Sequence, residues 1–232
     1  FRPHFFTDVY FSQNRCKALY EKMHKKISLE NLDLEKINKK ENRLEEFLKR
    51  LLDVVVSILG LVVCGALFPI IGLAIVIDSR GGIFYSQERV GKNGKVFLIY
   101  KFRSMRQKDE KQQELWREKE KNNITHVGSI LRRLHLDELP QAWSMLKGDI
   151  SFVGPRPEWI EFAKIFEKEI PFYQYRYLVK PGIIGWAQVN FPPSQSVKEA
   201  QEKFEYDLYY IKNRSLLLDL EIILKAVKLF FF

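Results

Sequence analysis

The chain has 232 residues, 46% hydrophobic and 29% charged, with a formal net charge of +9. That suffices for one domain of good size plus a membrane element, and it is too polar for a protein embedded throughout in lipid. A pI of about 9.4 fits nucleic acid, an anionic membrane surface or a phosphorylated substrate. The two cysteines lie in unlike surroundings, Cys16 in a charged region and Cys64 in an apolar run. That argues against a structural disulfide and for a reducing compartment.

The chain opens on Phe1 rather than Met, and the expectation is a piece of a longer protein or a processed chain. No basic start, short apolar core and small-residue cleavage site marks a signal peptide. Asn14 to Arg50 is dense in Lys and Glu, with Leu29, Leu32, Leu34, Ile37, Leu44, Phe47 and Leu48 spaced loosely along helical faces. It reads as a solvated linker helix leading to a membrane, with a regulatory or dimerising role as the alternative. No repeat or low-complexity tract interrupts it.

Val54 to Ile77 carries no formal charge, and about 20 apolar residues suffice to span a bilayer as a helix. Pro69 removes a backbone hydrogen bond and favours a bend, so the segment could enter one leaflet and leave on the same side. Lys49 and Arg50 precede the run, and Arg80, Arg89, Lys92 and Lys95 follow it. Basic flanks on both sides point to two cytoplasmic ends. On the residues alone, the spanning and re-entrant forms both stay open. The membrane segment favours a lipid surface or a phosphorylated substrate over nucleic acid.

Two β-prone runs, Ile83 to Gln87 and Val96 to Phe102, flank the turn Gly91-Lys92-Asn93-Gly94-Lys95 and predict a hairpin. Glu110 to Lys121 reads as a polar helix or loop. Val127 to Met145 has a helical pattern, with Pro140 either opening a second helix or bending the first. Further helices are expected over Glu158 to Phe166 and over Lys198 to Lys212, the latter with Phe204, Leu208 and Ile211 on one side. Leu216 to Phe232 is basic and very apolar, suited to the core or to a membrane surface.

The densest chemistry lies in His135-Leu136-Asp137-Glu138-Leu139-Pro140-Gln141 and in Gly148-Asp149 through Gly154-Pro155-Arg156-Pro157. An acidic pair follows the dibasic Arg132-Arg133, and an arginine returns about twenty residues later between Pro155 and Pro157, which restrict its backbone. Carboxylates among arginines suit phosphate chemistry: a carboxylate attacks phosphorus or holds Mg²⁺, and guanidinium forks hold phosphoryl oxygens. The bland reading of Asp137-Glu138 is an acidic pair at a helix start. Together with the apolar run, the pattern suggests an enzyme acting on a lipid phosphate.

These motifs resemble the bacterial polyprenyl-phosphate sugar-1-phosphate transferases, the monotopic bacterial sugar transferase family. The resemblance runs from Lys49-Arg50-Leu51-Leu52-Asp53 and Gln87-Glu88-Arg89-Val90-Gly91 through Tyr100-Lys101-Phe102-Arg103-Ser104-Met105 and the two segments above. It ends in Val179-Lys180-Pro181-Gly182-Ile183 and Gly185-Trp186-Ala187-Gln188-Val189-Asn190. It covers about three quarters of the chain, and all of these in one order make a very specific signal.

The resemblance implies a mostly α fold of the α/β kind with a small β-hairpin. Residues 1–46 would be a charged segment, left over from a larger upstream region; 47–80 a kinked re-entrant helix, with Pro69 at the kink; and 81–232 a cytoplasmic catalytic domain with an amphipathic end. The location implied is the bacterial inner membrane. The reaction implied moves a sugar 1-phosphate from a UDP-sugar to undecaprenyl phosphate, releasing UMP and initiating a surface glycan. Asp137 would attack the β-phosphorus to form a covalent phosphosugar intermediate. Glu138 would help hold Mg²⁺, with Asp137, or orient the site, and Mn²⁺ could substitute for Mg²⁺. Arg132, five residues before Asp137, and Arg156 would clamp the pyrophosphate.

Lys101 and Arg103 share a strand face that either contacts phosphate or is the polar face of an edge strand. Arg176 and Lys180 are candidates for nucleotide contact. Arg133 is a lipid-headgroup or solvated residue; Gln188 and Asn190 are site residues or turn formers. His135 reads as structural, with a phosphate contact as the alternative; Asp149 as a cap or loop-positioning residue, with a metal ligand as the alternative; and Trp186, Tyr206 and Tyr209 as core or interfacial anchors. Direct attack by the lipid phosphate, with Asp137 as base or metal ligand, is the alternative mechanism, and an inactive membrane scaffold is the non-enzyme alternative. Membrane lipids are expected partners and a homodimer stays open. No motif reads a substituent or configuration on the sugar.

Overall fold

The computed structural model describes residues 25–29, 37, 43–106, 123–192, 194 and 196–231, with only the backbone of 230 and 231. The polar segment expected over Glu110 to Lys121 and most of the expected N-terminal linker lie outside the described residues.

The dominant element is helix α1, Arg43–Asp78, with Pro69 inside it. At 1.5 Å per residue its 36 residues run about 54 Å. The helix begins well before the apolar run, because Leu44, Phe47 and Leu48 continue the helical period and Glu45 and Glu46 suit a first turn. One stripe of α1 is packed: Asp53, Ser57, Cys64, Ile71, Gly72 and Ile75 are buried, at three- and four-residue spacing. The other faces are bare. Leu59, Val62, Ile70, Leu73 and Ile77 are more than 60% exposed. Water does not tolerate an apolar face of that size on a monomer, so it marks contact with lipid or protein.

The expected hairpin forms. Strands β1, Phe84–Val90, and β2, Val96–Phe102, pair antiparallel, with Phe84 opposite Phe102 and Val90 opposite Val96. Its turn places Asn93 at φ 58° and Gly94 at φ 73°, the left-handed region that Asn and Gly tolerate best. Phe68 of α1 stacks on Phe84, and Phe84 on Phe102, with ring centroids 5.6 and 5.4 Å apart.

Val127 to Met145 resolves into two helices, α2, His126–Arg133, and α3, Gln141–Lys147. Pro140 caps the start of α3, so the proline opens a second helix rather than bending the first. Strand β3, Ser151–Val153, is followed by α4, Ile160–Glu169, and a 3₁₀ segment, Tyr173–Leu178. Strand β4, Gly182–Ile184, then pairs parallel with β3. This second sheet is absent from the sequence reading, because strands of three residues carry no period. Helices α5, Trp186–Asn190, α6, Val197–Asn213, and α7, Leu216–Phe231, complete the fold.

The main core gathers Trp186, Phe204, Leu208, Ile211, Leu218 and Ile222 around Val153 and Tyr173. The expected stripe of α6 is therefore buried. Helix α7 has one packed face and one open one: Leu218 and Ile222 are buried, while Leu217 is 80% and Leu224 62% exposed. The described part of the N-terminal segment belongs to this core as well. Ile27 and Ile37 are buried in it, and Lys26 pairs with Glu202 and Glu205 of α6. A second core joins Cys64, Ile71 and Ile75 of α1 to Phe102 and Leu131.

Both ends of α1 are tied to the rest of the chain by polar groups. At its start, Lys49 Nζ donates to Asp219 Oδ2 (2.6 Å) and to the Tyr210 hydroxyl (2.8 Å). Arg50 donates to the last carbonyls of α3, those of Met145 and Leu146, capping that helix. Buried Asp53 accepts from Ser151 Oγ and Phe152 N. At the far end, Asp78 accepts from Val127 N at 2.7 Å, satisfying an orphan donor of α2. Arg103 donates to the carbonyls of Ser79 and Arg80.

Candidate active site

Helix α2 begins cleanly, with Thr125 Oγ1 accepting from Gly128 N, and stops at a sharp reversal. His135 takes φ 54°, ψ 18°, and the next three residues, Leu136–Glu138, form a 3₁₀ turn. Leu136 and Leu139 pack against the second core and pin the turn from both sides. The polar pair between them is held on a short, fixed loop over the middle of α1. Asp137 is 6% exposed.

Glu138 meets two cations on a single oxygen. Lys101 Nζ at the end of β2 stands 2.7 Å from Oε1, and Arg156 Nη2 stands 2.5 Å from the same atom. Burial alone would push the Glu138 carboxyl up, but the Arg156 guanidinium and the Lys101 ammonium hold it well below the usual carboxylate range. Burial pulls the Lys101 ammonium down, with Arg156 adding to the effect and Glu138 opposing it.

Arg156 is aimed by its backbone. Each carbonyl from Pro155 to Glu158 is taken by a different donor: Gly182 N, Arg176 Nη2, Arg89 Nη1 and Val90 N respectively. The loop approaches β4 so closely that a Cβ on Gly182 would lie 2.1 Å from Gly154 N. Neither Pro155 nor Pro157 follows a cis bond.

Asp137 is the opposite case. Among the described residues, no hydrogen-bond donor reaches its carboxylate. Burial raises its pKa; Lys101, Arg132 and His135 act the other way, and Glu138 adds to the rise. Arg132 is steered by its Nε, which donates to Ser104 Oγ at 2.9 Å. Lys101, Arg132 and Arg156 thus outnumber the two carboxylates by one positive charge. A buried, undonated carboxylate in a net cationic site is the arrangement a nucleophile toward an anionic phosphoryl group needs.

The donor set fits Mg²⁺. Asp137 and the second oxygen of Glu138 are hard ligands, and Mg²⁺ commonly takes one or two carboxylates and completes its shell with substrate phosphates. Among the described residues, no group of three His, Cys, Asp or Glu could hold a metal by itself. The positive balance around the pair makes a dication more favourable once a pyrophosphate is present.

Asp137, Glu138, Lys101, Arg132 and Arg156 are thus brought together. The other predicted residues stand elsewhere. Strand β2 ends at Phe102, so Arg103 does not share a face with Lys101 but is buried against the end of α1, where its Nη2 donates to Ser79 O at 2.6 Å. Arg176 is buried and bonded to Asp207, Tyr173 and the Arg156 carbonyl. Lys180 sits at the junction of α1 and α3; a Cβ on Gly148 would lie 3.4 Å from its Nζ and 3.5 Å from Arg50 Nη1.

Arg133 is exposed. Asp149 pairs with Lys147. Gln188 and Asn190 donate to the carbonyls of Ile183 and Trp186. Trp186 is a core residue flanked by Lys25 and Lys225. Ser104, Asp53 and Asp207 were not singled out by sequence reasoning. Asp207 carried a usable signal: it is a charged residue inside the apolar stripe of Phe204, Leu208 and Ile211.

Residues 44–232 match the sequence profile of a family described as Bacterial sugar transferase. Among curated relatives, the chain is 41% identical over 182 residues to a UDP-N-acetylgalactosamine-undecaprenyl-phosphate N-acetylgalactosaminephosphotransferase of Aeromonas hydrophila, covering 78% of this chain and 43% of that protein. It is 40% identical over 184 residues to a UDP-glucose:undecaprenyl-phosphate glucose-1-phosphate transferase of Xanthomonas campestris, covering 78% and 38%. It is 37% identical over 187 residues to an exopolysaccharide production protein of Rhizobium leguminosarum, covering 78% and 93%. The chain thus spans about two fifths of the length of the first two and nearly all of the third.

Proposed function

Since the chain belongs to the bacterial sugar transferase family, we propose that it transfers a sugar 1-phosphate from a UDP-sugar to undecaprenyl phosphate, releasing UMP. The activities for which the Aeromonas and Xanthomonas relatives are named support the reaction class. The observation that carries it is the unlike pair: Asp137 buried with no donor among the described residues, Glu138 neutralised by Lys101 and Arg156.

The pair divides the work. An Asp137 oxygen attacks the phosphorus that bears the sugar. The bond from that phosphorus to the bridging oxygen breaks, and UMP leaves with the bond's electrons. A mixed anhydride then joins the Asp137 carboxyl to the phosphosugar. An oxygen of the lipid phosphate attacks the same phosphorus, frees the Asp137 carboxylate and forms the lipid diphosphate sugar. Arg156 and Lys101 hold phosphoryl oxygens against the site, while Glu138 fixes where those two cations stand. Arg132, steered by Ser104, adds charge beside Asp137. Bound Mg²⁺, held by Asp137 and Glu138, would supply charge neutralisation of the pyrophosphate and the leaving UMP.

The attachment of α1 supports a monotopic placement. Its start is tied by Lys49, Arg50 and Asp53, its end by Asp78 and Arg103, and α2 and α3 lie along it between these points. A helix with both ends bound to one domain cannot send either end across a bilayer while that domain stays on one side. Its exposed apolar faces then lie in one leaflet, with the domain in the cytoplasm, where UDP-sugars are found. This reading needs no break at Pro69.

The test is the full chain in nanodiscs with undecaprenyl phosphate and a panel of UDP-sugars, read by UMP release. With UDP-sugar alone, the peptide containing Asp137 should gain the mass of one sugar phosphate. UMP release that requires lipid acceptor, with no adduct at Asp137, would overturn the covalent step. No release with any UDP-sugar would overturn the function.

A further inference from the structure

Arg176 reads from sequence as a nucleotide contact, and the structure gives it other partners. Its Nε donates to Asp207 Oδ2 at 2.7 Å, its Nη1 to the Tyr173 hydroxyl at 2.8 Å, and its Nη2 to the Arg156 carbonyl at 2.7 Å. Glu158 Oε1 lies 3.4 Å from Nη1 and 2.8 Å from Lys203 Nζ. Arg176 and Asp207 are both buried. A guanidinium is a planar fork whose donors keep fixed mutual directions, so fixing Nε and Nη1 also fixes Nη2.

We propose that Asp207 and Arg176 are positioning residues for Arg156: the pair, anchored in α6 and the 3₁₀ segment, sets the backbone of the Pro155-Arg156-Pro157 loop and so the reach of the Arg156 guanidinium to Glu138.

The path is continuous. Asp207 holds the Arg176 fork, the fork holds the Arg156 carbonyl, and the Arg156 side chain leaves the same residue toward Glu138. The loop needs such a device because its prolines supply no N–H. It is held through its carbonyls, and two of the four are held by arginine side chains, Arg176 and Arg89. Arg89 is itself braced, with its guanidinium over the Trp159 ring and Nη2 donating to Gln87. The remaining two carbonyls accept backbone N–H groups. A purely structural ion pair in the α6 core would be complete without a bond to the loop arginine that grips Glu138.

The proposal rests on the catalytic reading of Arg156, so its test has one arm that needs no turnover. In the first arm, Asp207→Asn in the full chain should lower kcat about 10- to 100-fold, as misplacement of a charged group by about an ångström does, and change KM for the UDP-sugar much less. Asp207→Glu should restore part of the loss. In an Arg156→Lys background, Asp207→Asn should cost less than about twofold more, because residues acting as a unit are not additive. An equal fold-loss in both backgrounds, or wild-type kcat in Asp207→Asn, would overturn the proposal.

The second arm measures the thermal-stability coupling of Glu138→Gln with Arg156→Met by double-mutant cycle, with Asp207 intact and with Asp207→Asn. The coupling should shrink in the Asp207→Asn chain. Unchanged coupling would overturn the proposal even in a chain that turns over no UDP-sugar. If Asp207→Asn fails to fold, Arg176→Lys, which keeps the charge and loses the fork that reaches the Arg156 carbonyl, serves in both arms with the same expected sign and the same refuting results.

Discussion

Asp137 and Glu138 are neighbours in sequence with opposite electrostatics, and losing the charge of each should have opposite effects on stability. Glu138→Gln keeps the shape and removes the charge facing Lys101 and Arg156. The side chains of the three are 17%, 20% and 31% exposed, so most of the water that could compensate is excluded. Breaking a buried pair by removing one partner costs about 3–5 kcal/mol; with this residual exposure the low end applies, about 3 kcal/mol. For a chain of this size each kcal/mol moves Tm by about 2–4 °C, a fall of about 6–12 °C in all.

Asp137→Asn removes a charge that burial disfavours. Its folded pKa is raised, so above the unfolded value of about 3.9 the ionised form opposes folding, and the amide relieves that. Tm should hold or rise while turnover is lost. Thermal unfolding of both variants in nanodiscs, followed through the four tryptophans, reads the difference. Equal Tm values, or a Glu138→Gln chain as stable as wild type, would refute the opposed roles.

The pH profile follows from the same shift. Activity needs ionised Asp137, so it should fall as pH drops through the raised folded pKa, with the acid limb above the usual range for Asp. Glu138, held low, should contribute no limb there; a limb at or below about pH 3.9 would contradict the Asp137 assignment. EDTA should abolish UMP release and Mg²⁺ or Mn²⁺ restore it, and full activity in EDTA would reject the metal. Gly182→Ala should fail to fold, because its Cβ would meet Gly154 backbone at 2.1 Å. Gly65→Ala in α1 meets nothing within 4 Å and should stabilise by up to about 1 kcal/mol, with expression level and Tm as the readout for both. In a chain with Cys16→Ser and Cys64→Ser, cysteines placed at Glu46 and at Lys92 should both be shielded from an impermeant reagent in intact cells; labelling at one alone would mean that α1 spans.

The elements with a strong local code were legible in the sequence. The hairpin announced itself through two β-prone runs around the turn Gly91 to Lys95, and the apolar stripe of α6 was readable at Phe204, Leu208 and Ile211. The acidic pair and Arg156 stood out because carboxylates and arginines near prolines are chemically unusual. What escaped was set by contacts distant in sequence. The β3–β4 pair depends on the close passage of Gly154 and Gly182, residues that look like ordinary turn glycines. Arg103 and Arg176 have the composition of phosphate ligands, but Arg103 caps a helix more than twenty residues away and Arg176 braces the Arg156 loop. Charge alone does not tell a guanidinium that meets substrate from one that meets a carbonyl.

The fastening of α1 also sets an order of events during synthesis. Lys49 finds Asp219 170 residues later, Arg50 finds Met145 95 residues later, and Asp53 finds Ser151 98 residues later. At about 5–20 residues per second, roughly 5–20 s pass before the first of these partners exists and about 10–30 s before the last. Through that interval the apolar helix has left the ribosome without the domain that will hold it. On the proposed monotopic placement the membrane receives α1 first, and the rest of the domain assembles onto a helix already seated in lipid, with α7 joining after α2 and α3.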